Sequence, residues 1–110
     1  KIGHKGEDVV KEYLEKLGYI VEKPENPNQA VYDLIAEKDG IKWMIQVKTD
    51  ANGDGNAHIP SEKELKKLRE YASAKKMKGV WLLYYPEKRE KYKYICADGR
   101  HKFQGVKPYY

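Results

Sequence analysis

At 110 residues, 40% hydrophobic and 35% charged, the chain is sized for one domain and too short for two. No run approaches the roughly 18 apolar residues of a membrane-spanning helix, and no signal peptide is evident. Cys96 is the only cysteine, which excludes an internal disulfide framework and a cysteine-based zinc centre. A net charge of +5, carried almost wholly by lysine, fits either a polyanionic partner such as nucleic acid or a solvated Lys/Glu surface.

The lone cysteine suits a reducing, cytoplasmic setting in a prokaryotic or viral system. Because the sequence begins at Lys1 and not at Met, residues 1–110 are expected to form one domain of a longer chain.

In chain order, Val9, Val10, Tyr13, Leu14 and Leu17 fall at helical spacing, so a helix is expected from about Lys5 to Leu17, stopped by Gly18. Tyr19-Ile20-Val21 reads as a short strand, and the following "KPENPNQ" as a loop. Val31–Glu37 and Ile41–Thr49 read as strands joined by Asp39-Gly40, a dipeptide suited to the positive φ angles of a type I′ hairpin turn. The glycine-rich stretch from Asp50 to Gly55 leads to Ser61-Glu62-Lys63-Glu64, a capping box. The helix it opens should carry Leu65, Leu68 and Ala72 inward and run to about Met77, with Gly79 as its stop. Val80–Tyr85 has the continuous apolar character of a strand buried on both faces. Tyr92–Ala97 alternates and reads as a strand nearer an edge. The tail from Asp98 has no assignable pattern. The order αβββαββ predicts an α/β domain, a mixed sheet of about five strands flanked by helices.

A two-residue turn at Asp39-Gly40 pairs Lys38 with Ile41, so that opposed residue numbers sum to 79. Asp33 then faces Gln46, and Val31 faces Lys48, while Gln46 and Lys48 point to one side of their strand. A carboxylate, an amide and an ammonium thus gather on one patch between apolar neighbours. Two readings are open: an Asp33–Lys48 ion pair on a solvated sheet face, or polar groups turned toward a cleft.

The stretch "VYDLIAEKDGIKWMIQVKT" resembles the core of the PD-(D/E)XK nuclease superfamily, with Asp33 as the acid and Gln46-Val47-Lys48 in place of Glu-x-Lys. The glutamine variant is similar to Mrr-type restriction endonucleases. The flanks "KGEDVVKEYLEKLGYIVE" and "IPSEKELKKLREYASAKKMKGVWLLYY" resemble archaeal Holliday-junction resolvases, and the likeness runs over residues 3–97. It implies a restriction-endonuclease-like fold and a metal-dependent endonuclease acting on DNA, restriction-like or junction-resolving, leaving a 5′-phosphate. Mg²⁺ is the implied cofactor, with Mn²⁺ as a substitute, and a homodimer is a compatible form.

The resemblance also gives Glu7 a role. At 100° per residue it lies within about 20° of Leu14, at the edge of the buried stripe, and it matches the helix acid that joins the metal site. Asp8 lies on another face and suits a surface or helix-dipole role. The implied site is Glu7, Asp33, Gln46 and Lys48, with the metal on Asp33, the Gln46 side-chain oxygen, the Val47 carbonyl and Glu7. Lys48 would orient water and offset developing charge. Lys5, His58 and Lys63 are candidate DNA contacts. Two departures stand out. Gln46 removes a negative charge, and Asp8 sits where such resolvases usually carry arginine, which sets junction specificity against restriction-like cleavage. A nucleic-acid-binding module with a degenerate site is the alternative.

Asp50, Asn52, Asp54 and Gly55 also fit the start of a calcium-loop template. Its twelfth position, which requires glutamate, is Ser61, so the loop reads instead as a mobile segment beside the cleft. His4, His58 and His101 have no ligand spacing. Cys96 reads as a packing residue.

Overall fold

The computed structural model describes residues 2–26, 31–99 and 101–109, with side chains from Gly6 onward. The loop expected over residues 23–29 is therefore described only to Asn26. Helix α1 spans Ile2–Lys16, strand β1 Ile20–Glu22, β2 Leu34–Lys38 and β3 Ile41–Thr49. Helix α2 spans Glu62–Ala74, followed by β4 Lys78–Tyr84, β5 Tyr92–Cys96 and β6 Lys107–Pro108.

The strands form one sheet in the order β1-β2-β3-β4-β5-β6. Neighbours are antiparallel except β3 with β4 and β5 with β6. The expected five strands become six, because the unassigned tail returns through Lys107 and Pro108 to pair with Lys93 and Tyr94. Two residues with no alternation give no strand signal, so β6 was illegible in sequence. It also makes β5 an interior strand.

The hairpin follows the expected register: Lys38 pairs with Ile41, Ala36 with Trp43 and Leu34 with Ile45. Asp39 and Gly40 take φ of 54° and 80°, the left-handed values that a type I′ turn requires. The strand is shorter than expected at its other end, for β2 begins at Leu34 and not at Val31.

One helix covers each face of the sheet. On the α1 face, Val10 and Leu14 pack with Leu34, Trp43, Ile45, Val80 and Leu82. Phe103 from the tail joins this core fully buried, edge-on to Trp43 and Tyr94. On the α2 face, Leu68 and Ala72 pack with Met44, Trp81, Leu83 and Ile95. Strand β4 alternates between the two cores, as its continuous apolar sequence implies. Cys96 is buried against the Gly79 carbonyl, consistent with packing.

Helix α2 opens with the expected capping box: Ser61 Oγ accepts from the Glu64 amide, and the Glu64 carboxylate accepts from the Ser61 amide. Its end differs from expectation. The left-handed residue that turns the chain is Lys76, at φ 59°, and Gly79 lies inside β4. Gly79 is there for clearance, since a Cβ would stand 3.0 Å from Leu68 Cγ and 3.2 Å from Ala97 Cβ. The glycine thus serves helix–sheet packing and not helix termination.

Gly6 plays the corresponding part for α1. A Cβ on Gly6 would fall 2.1 Å from Thr49 Oγ1, so the helix rests directly on the end of β3 and brings the neighbouring Glu7 to the same place. Gly6→Ala is expected to cost about 1–3 kcal/mol through overpacking, despite the better helix propensity of alanine. Urea denaturation measures the loss, and Gly6→Ala combined with Thr49→Ala should recover most of it.

Candidate active site

Strand β2 breaks at Asp33. The Asp33 amide donates to the Ile45 carbonyl at 2.8 Å, although Ile45 is already opposite Leu34. Two residues facing one is the count of a β-bulge, which bends a strand and re-aims a side chain. The Asp33 carboxylate is then clamped to β3, its Oδ2 accepting from the Val47 amide at 2.8 Å. The directly opposed Asp33–Gln46 pair expected from the turn is replaced by this side-chain-to-backbone bond, because the regular ladder ends one residue earlier. The two residues still meet. Asp33, Gln46 and Lys48 line one lobe of a cleft with Val31, Glu64, Lys67, Leu68 and Trp81. They line a second lobe with Glu7, Val47, Thr49 and Ala51. The first lobe has a volume of 270 Å³.

Gln46 and Lys48 follow Met44 on the α2 side of β3, while Glu7 comes from α1 on the other side. They converge because β2 has left the sheet at this end, opening a passage around the edge of β3. Glu7 reaches the Asp33 carboxylate there. Burial first, then the negative charge of Asp33 and a hydrogen bond with it, push the Glu7 carboxyl from its ordinary 4.5 up to about 7. Lys23 acts weakly in the opposite direction.

Among the described residues no ion pair joins Asp33 to Lys48, so the solvated ion-pair reading of the hairpin is not what forms. The Lys48 ammonium instead lies over the Trp81 ring, 5.6 Å from its centroid. That cation–π contact holds the charge at the cleft without neutralising it. Trp81 stands beside Gln46 in the parallel β3–β4 pair and donates its indole N–H to the His58 carbonyl at 3.1 Å. Asp8 is exposed and pairs with Lys23, in keeping with a surface role.

Of the expected DNA contacts, Lys63 is exposed on the first turn of α2, and the Lys5 side chain lies outside the described residues. His58 pairs with Glu64 at 3.0 Å. The bond from the Ser61 amide, and then His58, hold the Glu64 carboxyl below its ordinary range. His4 also lies outside the described side chains, and His101 meets Lys78 at the surface.

Glu64, legible in sequence as a helix cap, is also a cleft residue, and Lys67 joins it there. The available signal was spacing: Glu64, Lys67 and Leu68 lie at i, i+3 and i+4, so two polar residues share the edge of the face that Leu68 turns to the sheet.

Comparison with known proteins agrees with this arrangement. The family model Mrr_cat, described as restriction endonuclease, matches residues 3–84, from α1 through β4. No curated protein matches the chain. Among solved structures, the Holliday junction resolvase Hjc of Archaeoglobus fulgidus superposes with a TM-score of 0.67, at 18% identity, over 93% of this chain and 80% of that one. At that identity the likeness establishes the fold. The matched family span contains Glu7, Asp33, Gln46 and Lys48. The chain belongs to the Mrr-type restriction endonuclease family and is a DNA endonuclease of the PD-(D/E)XK superfamily.

Proposed function

We propose that this domain hydrolyses DNA phosphodiester bonds with Mg²⁺, for which Mn²⁺ substitutes. The observation that carries the reading is the crowding of Glu7 against Asp33 at the mouth of a cleft that also holds Gln46 and Lys48. Nucleases of this superfamily are generally dependent on a divalent metal. Two carboxylates pressed together until one keeps its proton near pH 7 are oxygen donors well suited to a hard cation.

Asp33, the Gln46 side-chain oxygen and the Val47 carbonyl would hold the metal, with Glu7 completing the set directly or through water. The bound metal supplies Lewis-acid polarisation of the scissile phosphate and a lowered pKa for an attacking water. Lys48, held over Trp81, orients that water and offsets the charge that develops on the phosphate. The Val47 amide fixes the Asp33 carboxylate so that it need not reorganise when substrate arrives.

Gln46 leaves the donor set one charge short of the usual Glu-x-Lys arrangement, which favours a single, weakly held ion. The position of Asp8, where junction resolvases usually have arginine, favours restriction-like cleavage over junction resolution. Two such domains in a homodimer would address both strands of a duplex, and the reaction suits the cytoplasm. A binding-only module is the second reading, favoured by the same missing charge.

A panel of duplex, methylated, flapped and four-way-junction DNA with Mg²⁺ separates these readings. Lys48→Ala is expected to slow single-turnover cleavage by about 10²–10³ while leaving DNA affinity within a few-fold of the parent. Unchanged cleavage would remove Lys48 from the site, and binding without cleavage of any substrate would favour the binding-only module. Gln46→Glu, which restores the carboxylate, should lower the half-saturating Mg²⁺ concentration by roughly tenfold, or about 1.4 kcal/mol.

The Glu7 shift sets a pH dependence. The fold favours protonated Glu7, so between about 4.5 and about 7 the metal-free native state binds more protons than the unfolded chain. The Glu7 contribution is therefore fully present below about 4.5, declines as pH rises, and is lost above about 7. Glu7→Gln should flatten that decline in urea-melt series without metal. Metal binding displaces the proton, so the Mg²⁺ requirement of the parent should fall as pH rises through about 7.

A further inference from the structure

We propose that the loop from Asp50 to Gly55 is a second, structural cation site, taking Ca²⁺ on the oxygens of Asp50, Asn52 and Asp54, apart from the catalytic acids. The first observation is an orphaned atom. Asp50 is 1% exposed, and its Oδ1 is buried with no hydrogen-bond partner. The side chain is not free to turn outward. Its Oδ2 accepts from the Gly55 amide at 2.8 Å, and its own amide donates to the Tyr84 carbonyl at 2.8 Å. A carboxylate removed from water with one oxygen unmatched is costly unless a positive charge or a proton meets it.

The second observation is that the Asp54 carboxylate is fixed in the same loop, its Oδ1 accepting from the Asn56 amide at 3.1 Å, and interacts with the Asp50 side chain. Two acids held together by a short loop call for a cation or a shared proton between them. The intervening Asn52 adds a third oxygen side chain at the alternate-residue spacing that hard cations accept from loops. Gly53 and Gly55, at φ of 69° and 87°, bend the backbone around the pair.

The calcium-loop template failed in sequence at Ser61, and in the fold the Ser61 hydroxyl is occupied by the Glu64 amide. A substitute acid arrives from a distant part of the chain. Glu87, in the turn between β4 and β5, packs on Gly53, where a Cβ would stand 2.8 Å from Glu87 Cγ. Lys88 in the same turn lies over the Tyr85 ring at 4.7 Å, with its Nζ 3.5 Å from where a Cβ on Gly55 would stand, and among the described residues no ion pair joins it to Asp50 or Asp54. Among the described residues no three acidic, histidine or cysteine side chains already surround one point. Ion binding therefore draws Asn52 and Glu87 in around two aspartates that the fold has gathered.

The site is distinct from the catalytic one. The charged groups that act on Glu7 are Asp33, Lys23 and Asp8, and Asp50 is not among them. Its consequence reaches the cleft nonetheless, because Ala51 lines the lobe that holds Glu7 and Asp33. An ion in the loop would fix one wall of that lobe.

The test uses the whole chain carrying Glu7→Gln and Asp33→Asn, so that any remaining cation effect belongs to the loop. Calcium chloride, and magnesium chloride in parallel, are titrated by thermal melting and calorimetry. Saturating Ca²⁺ should raise Tm by about 5 °C with one ion bound. Adding Asp50→Asn should abolish both signals. Should that variant fail to fold, Asp54→Ser, at an exposed position, should weaken Ca²⁺ binding at least tenfold. If Ca²⁺ shifts neither the melting temperature nor the calorimetric signal, the site is overturned. A Ca²⁺ response that survives both substitutions also overturns it, and a response to Mg²⁺ alone overturns the assignment of the ion.

Discussion

The bond from the Val47 amide to the Asp33 carboxylate holds the cleft end of this domain together. An antiparallel ladder would ordinarily continue toward Val31, matching amide to carbonyl. Here a side-chain oxygen takes the amide instead, while the Asp33 amide doubles up on Ile45. Three consequences follow from this one substitution of acceptor. The strand ends, the carboxylate is fixed against β3, and the sheet opens at the place where Glu7 can reach around it. A charge-assisted bond to a backbone donor is stronger than a neutral one, which suits a group that must stay in position while charges around it change.

That opening explains how two helices on opposite faces feed one cleft. Gln46 and Lys48 lie on the α2 side of β3 and Glu7 on the α1 side, a separation that an unbroken sheet would enforce. Past Asp33 no strand stands between them. Gly6 lets α1 rest on Thr49 and sets the height of Glu7. Glu64, Lys67 and Leu68 close the other side from α2. The cleft is built on the β3–β4 pair, and Ala51 at the start of the glycine-rich loop lines its outer side.

Much of this was legible in sequence because the hairpin imposes a discrete register. One dipeptide, Asp39-Gly40, fixed the sum rule that placed Asp33 near Gln46 and Lys48, while the helical angle to Leu14 put Glu7 at the edge of the buried stripe and only the family resemblance tied it to the site. The bulge was not legible, since nothing in "VYDL" marks where a ladder gives way to a side-chain acceptor. The end of α2 was misread for a related reason. A glycine after a helix signals a cap, but Gly79 answers to Leu68 and Ala97, contacts made only in three dimensions. Phe103 and β6 were hidden because their partners lie far back in the chain, at Trp43, Tyr94 and Lys93. The cleft role of Glu64 was within reach of sequence, masked by its equally valid reading as a helix cap.

The charges in the cleft also account for glutamine at position 46. Burial first, and then the charge of Asp33, already hold a proton on Glu7 near neutral pH. A third carboxylate beside them would add repulsion in the metal-free protein, where Lys23 acts on Glu7 and Lys48 is drawn toward Trp81. The amide keeps an oxygen donor at the same point of β3 without adding charge. The amide thus leaves a cleft with less internal repulsion, and a metal held there as proposed would compete with the Glu7 proton in the range where Glu7 titrates.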